Sequence, residues 1–312
     1  MTSLISRLIR TSKPTAYRLF DVQLKAIEHL SPSLCRCVFG GEDVAQMTTL
    51  APDQRIKLCF PTPAGAAPTL PKDGQWQLAR RGLAAQHTPP MRTYTLRALR
   101  REAQEVDVDV DFVLHGVNGP ASAWATHAQV GDRLQMVAPN LAYRDDPGGY
   151  EWKPPSSARN ILLVGDETAL PAIAGILEQL AEQAPEQAVQ AFIEVPHESD
   201  CLPLRHSPAT RLHWLPRDVL RCDHGQGMLH AVHELARLPG LQVGKSVELE
   251  DVDIDASLLW ELASDAKGEF YAWIAGESGT VMEIRRYLIK ERGLSRASLT
   301  LMGYWRAGRA LD

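Results

Sequence analysis

The chain has 312 residues, 45% hydrophobic and 23% charged, with a formal net charge of −5 at pH 7. These are ordinary globular values, which excludes a disordered or collagen-like chain, and a prior of about 150 residues per domain predicts two domains. The acidic balance excludes bulk attraction to nucleic acid or anionic lipid, and no apolar run approaches the roughly 20 residues of a spanning helix. Residues 1–10 lack the apolar core of a secretory signal, and the five cysteines form no CxxC, Cys35 and Cys37 making only a CxC. Reduced thiols in a cytoplasmic protein are the expectation.

The first half reads as β-rich. Segments 18–27, 34–39, 55–61 and 91–99 are short, partly alternating runs. Segment 105–112 alternates strictly, with Val106, Val108, Val110 and Phe112 against Glu105, Asp107, Asp109 and Asp111. These acids are expected to form a solvated strand face, because a flat strand cannot converge oxygens on one metal ion. Short strands separated by breakers predict a barrel. Residues 61–86, rich in Ala, Pro and Gly, read as an inserted mobile flap. The Pro- and Gly-rich stretch 147–157 is the predicted linker, dividing a domain over 1–150 from one over 151–312.

Beyond the linker, strand and helix alternate. Residues 161–164 are continuously apolar, as in a strand buried on both faces. Leu170, Ile173, Ala174, Leu177 and Leu180 recur at helical spacing, with Thr168 as the expected N-cap. Strands are predicted over 188–195, 211–215, 270–275 and 298–302, and helices over 229–238 and 280–292, the latter opened by a Thr280–Glu283 capping box. An acidic loop over 247–255 is expected to lead into a helix at 256–264. The alternation implies a parallel sheet covered on both sides.

Five segments could carry chemistry. Arg92-Thr93-Tyr94-Thr95-Leu96-Arg97 places an aromatic plane, a hydroxyl and a guanidinium on one strand, a set suited to a flavin ring and its phosphates but equally to half-buried packing. After His115-Gly116, the run Gly119-Pro120-Ala121-Ser122-Ala123-Trp124 has small residues at a helix start, where backbone amides favour anions. Gly165-Asp166-Glu167-Thr168 follows the buried strand, and Ala275-Gly276-Glu277 ends another; both turns lie where an open α/β sheet binds ligands. The pair Asp166 and Glu167 would repel a diphosphate, so this turn suits a nicotinamide or ribose better than a pyrophosphate. Gly303-Tyr304-Trp305-Arg306 could line a pocket mouth or pack on the body. The ten histidines are scattered, and no protein-bound metal is expected.

Together with Gly131-Asp132, these segments resemble, in order over residues 17–308, the siderophore-interacting proteins, or ferric-siderophore reductases. The resemblance implies a two-domain ferredoxin-NADP reductase-like fold, with a six-stranded antiparallel β-barrel holding FAD and a C-terminal α/β domain receiving NADPH or NADH. It implies flavin contacts from Arg92, Tyr94 and Thr95, with pyrophosphate and adenosine contacts from His115, Gly119, Pro120, Ala121 and Ser122. Asp166, Glu167, Thr168, Gly276 and Glu277 would border the nicotinamide nucleotide. Arg306, with Lys57 and Arg286, would form a basic substrate mouth. One departure is Ala138-Pro139-Asn140-Leu141, where the family often has a Gly-Pro-x-Gly turn.

The implied activity is FAD-dependent reduction of a ferric siderophore, releasing Fe(II) for iron acquisition. The flavin performs the chemistry and no catalytic side chain is needed. The alternatives are a general NAD(P)H:flavin or quinone oxidoreductase and a non-enzymatic siderophore-binding protein. At the end of the second α/β strand, Glu194-Val195-Pro196-His197-Glu198 carries no phosphate clamp and Arg205 is the nearest cation, so NADPH and NADH both stay open, as does a ferredoxin donor. No heptad seam is present, and a monomer is expected.

Overall fold

The computed structural model describes residues 13–102, 105–117, 119–240, 259–264 and 267–309. In the first half, β1 (Tyr17–Ser31), β2 (Leu34–Gly40), β3 (Arg55–Cys59), β4 (Met91–Thr95), β5 (Ala98–Glu102), β6 (Glu105–Val113) and β7 (Arg133–Pro139) form one antiparallel sheet in the order β4-β3-β7-β1-β2-β6-β5. The sheet curls around a core that includes Phe20, Val22, Cys35, Cys37, Ile56, Leu58, Val110 and Phe112. It has 7 strands rather than the expected six. The single strand predicted over 91–99 breaks at Leu96-Arg97, where the Leu96 amide donates to Gln54 and the Arg97 amide to Asp109. The chain there leaves β3 and joins β6, so consecutive strands occupy the two ends of the sheet and bring its edges together.

The acidic face of β6 is a second correction. Asp109 is 3% exposed and Asp111 6%, so the inner half of the row is not solvated, whereas Glu105 at its start is exposed. Arg100 forks onto Asp109 at 2.9 and 2.7 Å, and Arg36 onto Asp111 at 2.7 and 2.9 Å. Lys25 spans Glu105 and Asp107 at 2.8 and 2.7 Å. The cations sit on strands beside β6 and beyond, and cross-strand partners cannot be read from one strand's alternation.

The excursion between β3 and β4 carries the short helix α1 (Trp76–Arg81). Its expected looseness is corrected at its middle. Leu70 is buried on Leu19, Cys59, Met91 and Val137 outside the barrel, and Gln135 bonds both its amide and its carbonyl at 2.7 and 3.0 Å. Helix α2 (Pro120–His127) lies between β6 and β7 in the chain.

The second sheet contains β8 (Asn160–Gly165), β9 (Ala188–Val195), β10 (Thr210–Pro216), β11 (Trp260–Glu261), β12 (Phe270–Glu277) and β13 (Leu299–Trp305), in the order β10-β9-β8-β12-β13-β11. All its pairs are parallel except β11 with β13. Helices α3 (Leu170–Gln183), α4 (Arg217–Leu220), α5 (Gln226–His230) and α6 (Ser278–Arg286) accompany it. Residues of α3 contribute to one core against this sheet, and residues of α5 and α6 to another.

Three local expectations change here. The helix predicted over 256–264 is instead the strand β11, because Trp260 and Glu261 pair with Met302 and Leu301. Residues 256–258 and the 247–255 loop lie outside the described residues. Helix α3 has Ala169, not Thr168, at its N-cap, and α6 is capped by Glu277, whose carboxylate accepts from the Thr280 amide at 2.9 Å. Glu277 captures that amide from one residue before the helix, so Thr280 lies inside it.

The predicted linker forms no strand or helix, but its centre is pinned. The amides of Glu151 and Trp152 both donate to one oxygen of buried Asp53 at 2.8 Å. The same oxygen accepts from the indole of Trp273, in the middle of β12, at 3.3 Å. One carboxylate from the barrel side thus fastens the linker and the second sheet together.

Candidate functional site

The barrel half of the site is built on β4. Tyr94 and Arg92 stand opposite Ile56 and Leu58 in register, both core residues, so the pair faces the barrel interior. The Tyr94 ring is half-buried, 4.5 Å from Phe112 and 6.3 Å from Phe60, and burial pushes its hydroxyl pKa above the usual range. Thr95 is buried at the end of the strand. Because β4 is terminal in the sheet order, its other edge pairs with no further strand among the described residues.

Trp124 of α2 extends this aromatic cluster, lying 5.6 Å from Phe112, 5.7 Å from Phe60 and 6.0 Å from Phe39. Pro120 and Trp124 then form one wall of a groove of about 530 Å³, with Pro61, Thr62, Pro63 and Pro90 on the other. The inserted excursion therefore supplies part of the cleft. Among the described residues no side chain caps α2: Gly119 precedes it in extended conformation, and the Ser122 hydroxyl turns back to the Gly119 carbonyl at 3.2 Å. First-turn amides have no intrahelical partner, so those of Ala121 and Ser122 are available to an anion. His115 is exposed just before Gly116, whose φ is +87°. An open strand edge, a half-buried tyrosine, an uncapped helix start and an apolar groove together fit a flavin dinucleotide.

The other half lies at the carboxyl ends of β8 and β12, neighbours where the strand order reverses direction. Asp166 is 0% exposed and ties this edge together. One oxygen accepts from the amide (2.9 Å) and hydroxyl of Thr168, the other from the Glu277 amide and the Trp305 indole, both at 2.9 Å. Burial pushes its carboxyl pKa up and Glu167 adds to this, while His224, Thr168 and Trp305 oppose it. Gly276, at φ +154°, packs so closely that a Cβ would lie 2.7 Å from an Asp166 oxygen.

Glu167 is engaged by Arg217 at 2.9 and 3.0 Å, and Arg217 also reaches buried Glu194 at 3.1 Å. Glu277 receives Arg306 at 3.0 Å and the Ala307 amide at 3.2 Å. Burial works against the Glu277 carboxylate, yet the Thr280 and Ala307 amides and Arg306 hold its pKa below the usual value.

The predicted substrate cations are not gathered at one point. Lys57 stands opposite Thr93, bonding it at 3.3 Å, on the sheet face away from Tyr94. Arg286 is in the last turn of α6, roughly 12 Å along the axis from its start, and lines a separate groove with His230, His233 and Tyr287. Arg306 alone of the three stands at the Glu277 turn. The predicted nearest cation, Arg205, is paired with Glu182 at 2.7 Å.

Several participants escaped the sequence reading. Arg217 and Glu194 meet only through the parallel register of β9 and β10. His224 brings a ring nitrogen to 3.5 Å from Asp166 and 3.7 Å from Glu167, edge-on to Trp305 at 5.0 Å between centroids. No local spacing marks it, since it arrives from the loop before α5.

Comparison with known proteins places this geometry. Residues 23–143 match the siderophore-interacting FAD-binding domain, and residues 158–308 match the siderophore-interacting protein domain. The chain belongs to the siderophore-interacting protein family. It is 32% identical over 303 residues to an uncharacterized protein of Mycobacterium tuberculosis, covering 93% of this chain and 91% of that one. It is 28% identical to the ferric vibriobactin reductase of Vibrio cholerae, covering 94% of this chain and 90% of the relative. The crystal structure of a siderophore utilization protein from T. fusca superposes with a TM-score of 0.70 at 28% identity, covering 95% and 96% of the two chains. The ferredoxin reductase of carbazole 1,9a-dioxygenase, at 15% identity and a TM-score of 0.54, covering 93% of this chain and 70% of that one, shares the fold alone. The family therefore carries a ferredoxin reductase-like architecture, here with a seven-stranded curled sheet beside the α/β sheet. Among the described residues, no helix is long and apolar enough to cross a membrane.

Proposed function

We propose that this chain is a flavoprotein oxidoreductase that reduces a ferric siderophore and releases Fe(II), using NADPH or NADH as donor. The observation that carries this reading is the pairing of two half-sites. The cleft beside Tyr94 and Trp124 lies within the stretch matching an FAD-binding domain, and the Asp166–Gly276 turn lies at the switch point of the adjoining sheet. The Vibrio relative's name supports the substrate class. When bound, the flavin supplies two-electron to one-electron conversion: one hydride reduces two Fe(III) to two Fe(II) and leaves one proton.

The protein's part is to bind and orient. Arg92 and the first-turn amides of α2 would hold the pyrophosphate, with His115 and Gly119 to Ser122 along the adenosine side. Tyr94 and Thr95 would border the ring. Asp166, Glu167, Thr168, Gly276 and Glu277 would shape the nicotinamide end. Asp166 and Glu167 are already engaged by internal partners, so the turn presents a fixed surface there rather than two free carboxylates.

The test is direct. Purified protein is expected to be yellow and to release FAD on heating, and anaerobic mixing with NADPH or NADH is expected to bleach the flavin bands before a ferric chelate restores them. A colourless protein indifferent to added FAD would sink the reading.

Arg306 is the proposed contact for an anionic ferric chelate, since it stands at the nucleotide turn with its charge shared with Glu277. Arg306→Ala is expected to reduce kcat/KM for a ferric catecholate about tenfold more than for a neutral quinone, the scale of one charged hydrogen bond. Equal losses with both acceptors would remove this assignment.

A further inference from the structure

We propose that Arg97 and Glu178 form a clasp between the two sheets that positions the nucleotide turn against the β4 edge. The proposal rests on the reading under Proposed function. Arg97 closes the Arg92–Arg97 segment, yet that reading gives it no contact with cofactor or substrate. It occupies the corner between β4 and β5, two residues beyond Thr95, and its amide is fixed on Asp109 at 2.9 Å. Its guanidinium reaches across the seam to α3. One nitrogen donates to a Glu178 oxygen at 3.0 Å, and a second nitrogen donates to the other oxygen.

Glu178 lies on α3, the helix that rises directly from the Asp166–Thr168 turn. The same helix face meets the barrel side at one more point and the linker at another. A Cβ on Gly175 would lie 2.9 Å from Cβ of Pro52, and Gln179 accepts from the Trp152 indole at 2.8 Å. Positions 175, 178 and 179 share one face by helical spacing. Gly175 permits the close approach, while the fork between Arg97 and Glu178 fixes two distances at once and hence a direction.

The pair is poorly explained as a stability device. Its side chains are 13% and 34% exposed, and although a forked pair is the favourable case, solvent on the Glu178 side screens what it adds to stability. Asp111, 3.9 Å from the Arg97 Nε, is already forked by Arg36, so Arg97 is not required to satisfy it. Other ties hold the halves together without the clasp: Asp53 on Trp152 and Trp273, and Asp200 accepting from the Ser33 amide at 2.9 Å. What the clasp adds is orientation. Glu178 is eight residues, roughly 12 Å, along α3 from Leu170, so a small tilt there displaces the nucleotide turn relative to Tyr94 and Thr95. Hydride delivery requires reacting atoms within about 3.5 Å, and a misplacement near 1 Å costs up to about 100-fold.

The test uses the full chain loaded with FAD, with Glu178→Ala and Glu178→Gln. Flavin content, visible spectrum and melting temperature are expected to match the parent. Hydrogen–deuterium exchange is expected to rise at the β4–β5 corner and along α3, with and without FAD. The anaerobic hydride-transfer constant is expected to fall about tenfold in the alanine variant while the nucleotide Kd changes less than twofold. Glutamine, which keeps one acceptor, is expected to fall between. Unchanged exchange together with unchanged hydride transfer overturns the clasp, as does a rate loss that merely follows loss of FAD. If the parent accepts hydride from neither nucleotide, the functional reading fails separately, and the exchange data still decide whether Glu178 fixes the seam.

Discussion

Gly276→Ala is expected to destabilise the protein by about 3 kcal/mol, through a clash and a backbone strain acting together. The added carbon would stand 2.7 Å from one Asp166 oxygen and 2.9 Å from its carboxyl carbon, inside contact distance for atoms that have no flexible end to move. The φ of +154° adds strain for a side-chain-bearing residue. Both penalties fall on the turn joining β12 to α6, so nucleotide affinity is expected to drop with stability. Urea denaturation followed by tryptophan fluorescence reads the first effect. An unfolding free energy within about 0.5 kcal/mol of the parent would show that the turn relaxes at little cost.

Asp166→Asn is expected to cost about 3 kcal/mol or more, although it removes a buried charge. Burial raises the Asp166 pKa, and from that alone a neutral isostere would be harmless or stabilising. The hydrogen bonds decide otherwise. Four donors converge on the carboxylate: the Thr168 amide and hydroxyl, the Glu277 amide and the Trp305 indole. A carboxylate offers about four lone-pair sites, whereas a carboxamide offers two and brings two donors of its own. Whichever way the amide is turned, its nitrogen faces donors. Thermal unfolding of the Asn variant checks this, and an unchanged or raised melting temperature would mean that desolvation outweighs the converging donors. Because Gly276 packs on the same carboxylate, the double variant is expected to lose less than the sum of the single losses.

Much of the architecture was legible in hydrophobic pattern. The continuous apolar run 161–164 predicts the central strand β8, and all four of its residues are buried. The helical recurrence of Leu170, Ile173, Ala174, Leu177 and Leu180 gives α3 and its buried face. Period two along 105–112 locates β6 but misplaces its acids, because alternation reports which residues share a face and not what covers that face. The site divides in the same way. The Arg92–Arg97 run, the small residues before Trp124 and the two glycine turns were visible as motifs. Their partners were not. His224 and Arg217 reach the Asp166–Glu167 turn from different segments, Glu194 holds Arg217 from a third, and each is unremarkable where it stands in the chain.

The basic mouth shows the same limit from the other side. Lys57, Arg286 and Arg306 are alike as cations in sequence, but strand register turns Lys57 to the outer barrel face and helix length carries Arg286 away from the turn. Arg97 went unassigned because its value depends on a residue 81 positions later. The amino-acid sequence by itself determined most of the element types, the parallel body of the second sheet and the turns at which a ligand is expected, because these follow from periodicity and from where strands give way to helices. Only the tertiary structure decided the seventh strand, the pairing of the acidic row, which cation stands at the nucleotide turn and how the two sheets are fastened. Each of those depends on a distance between segments far apart in the chain, and such distances are set by packing and register rather than by any residue's near neighbours.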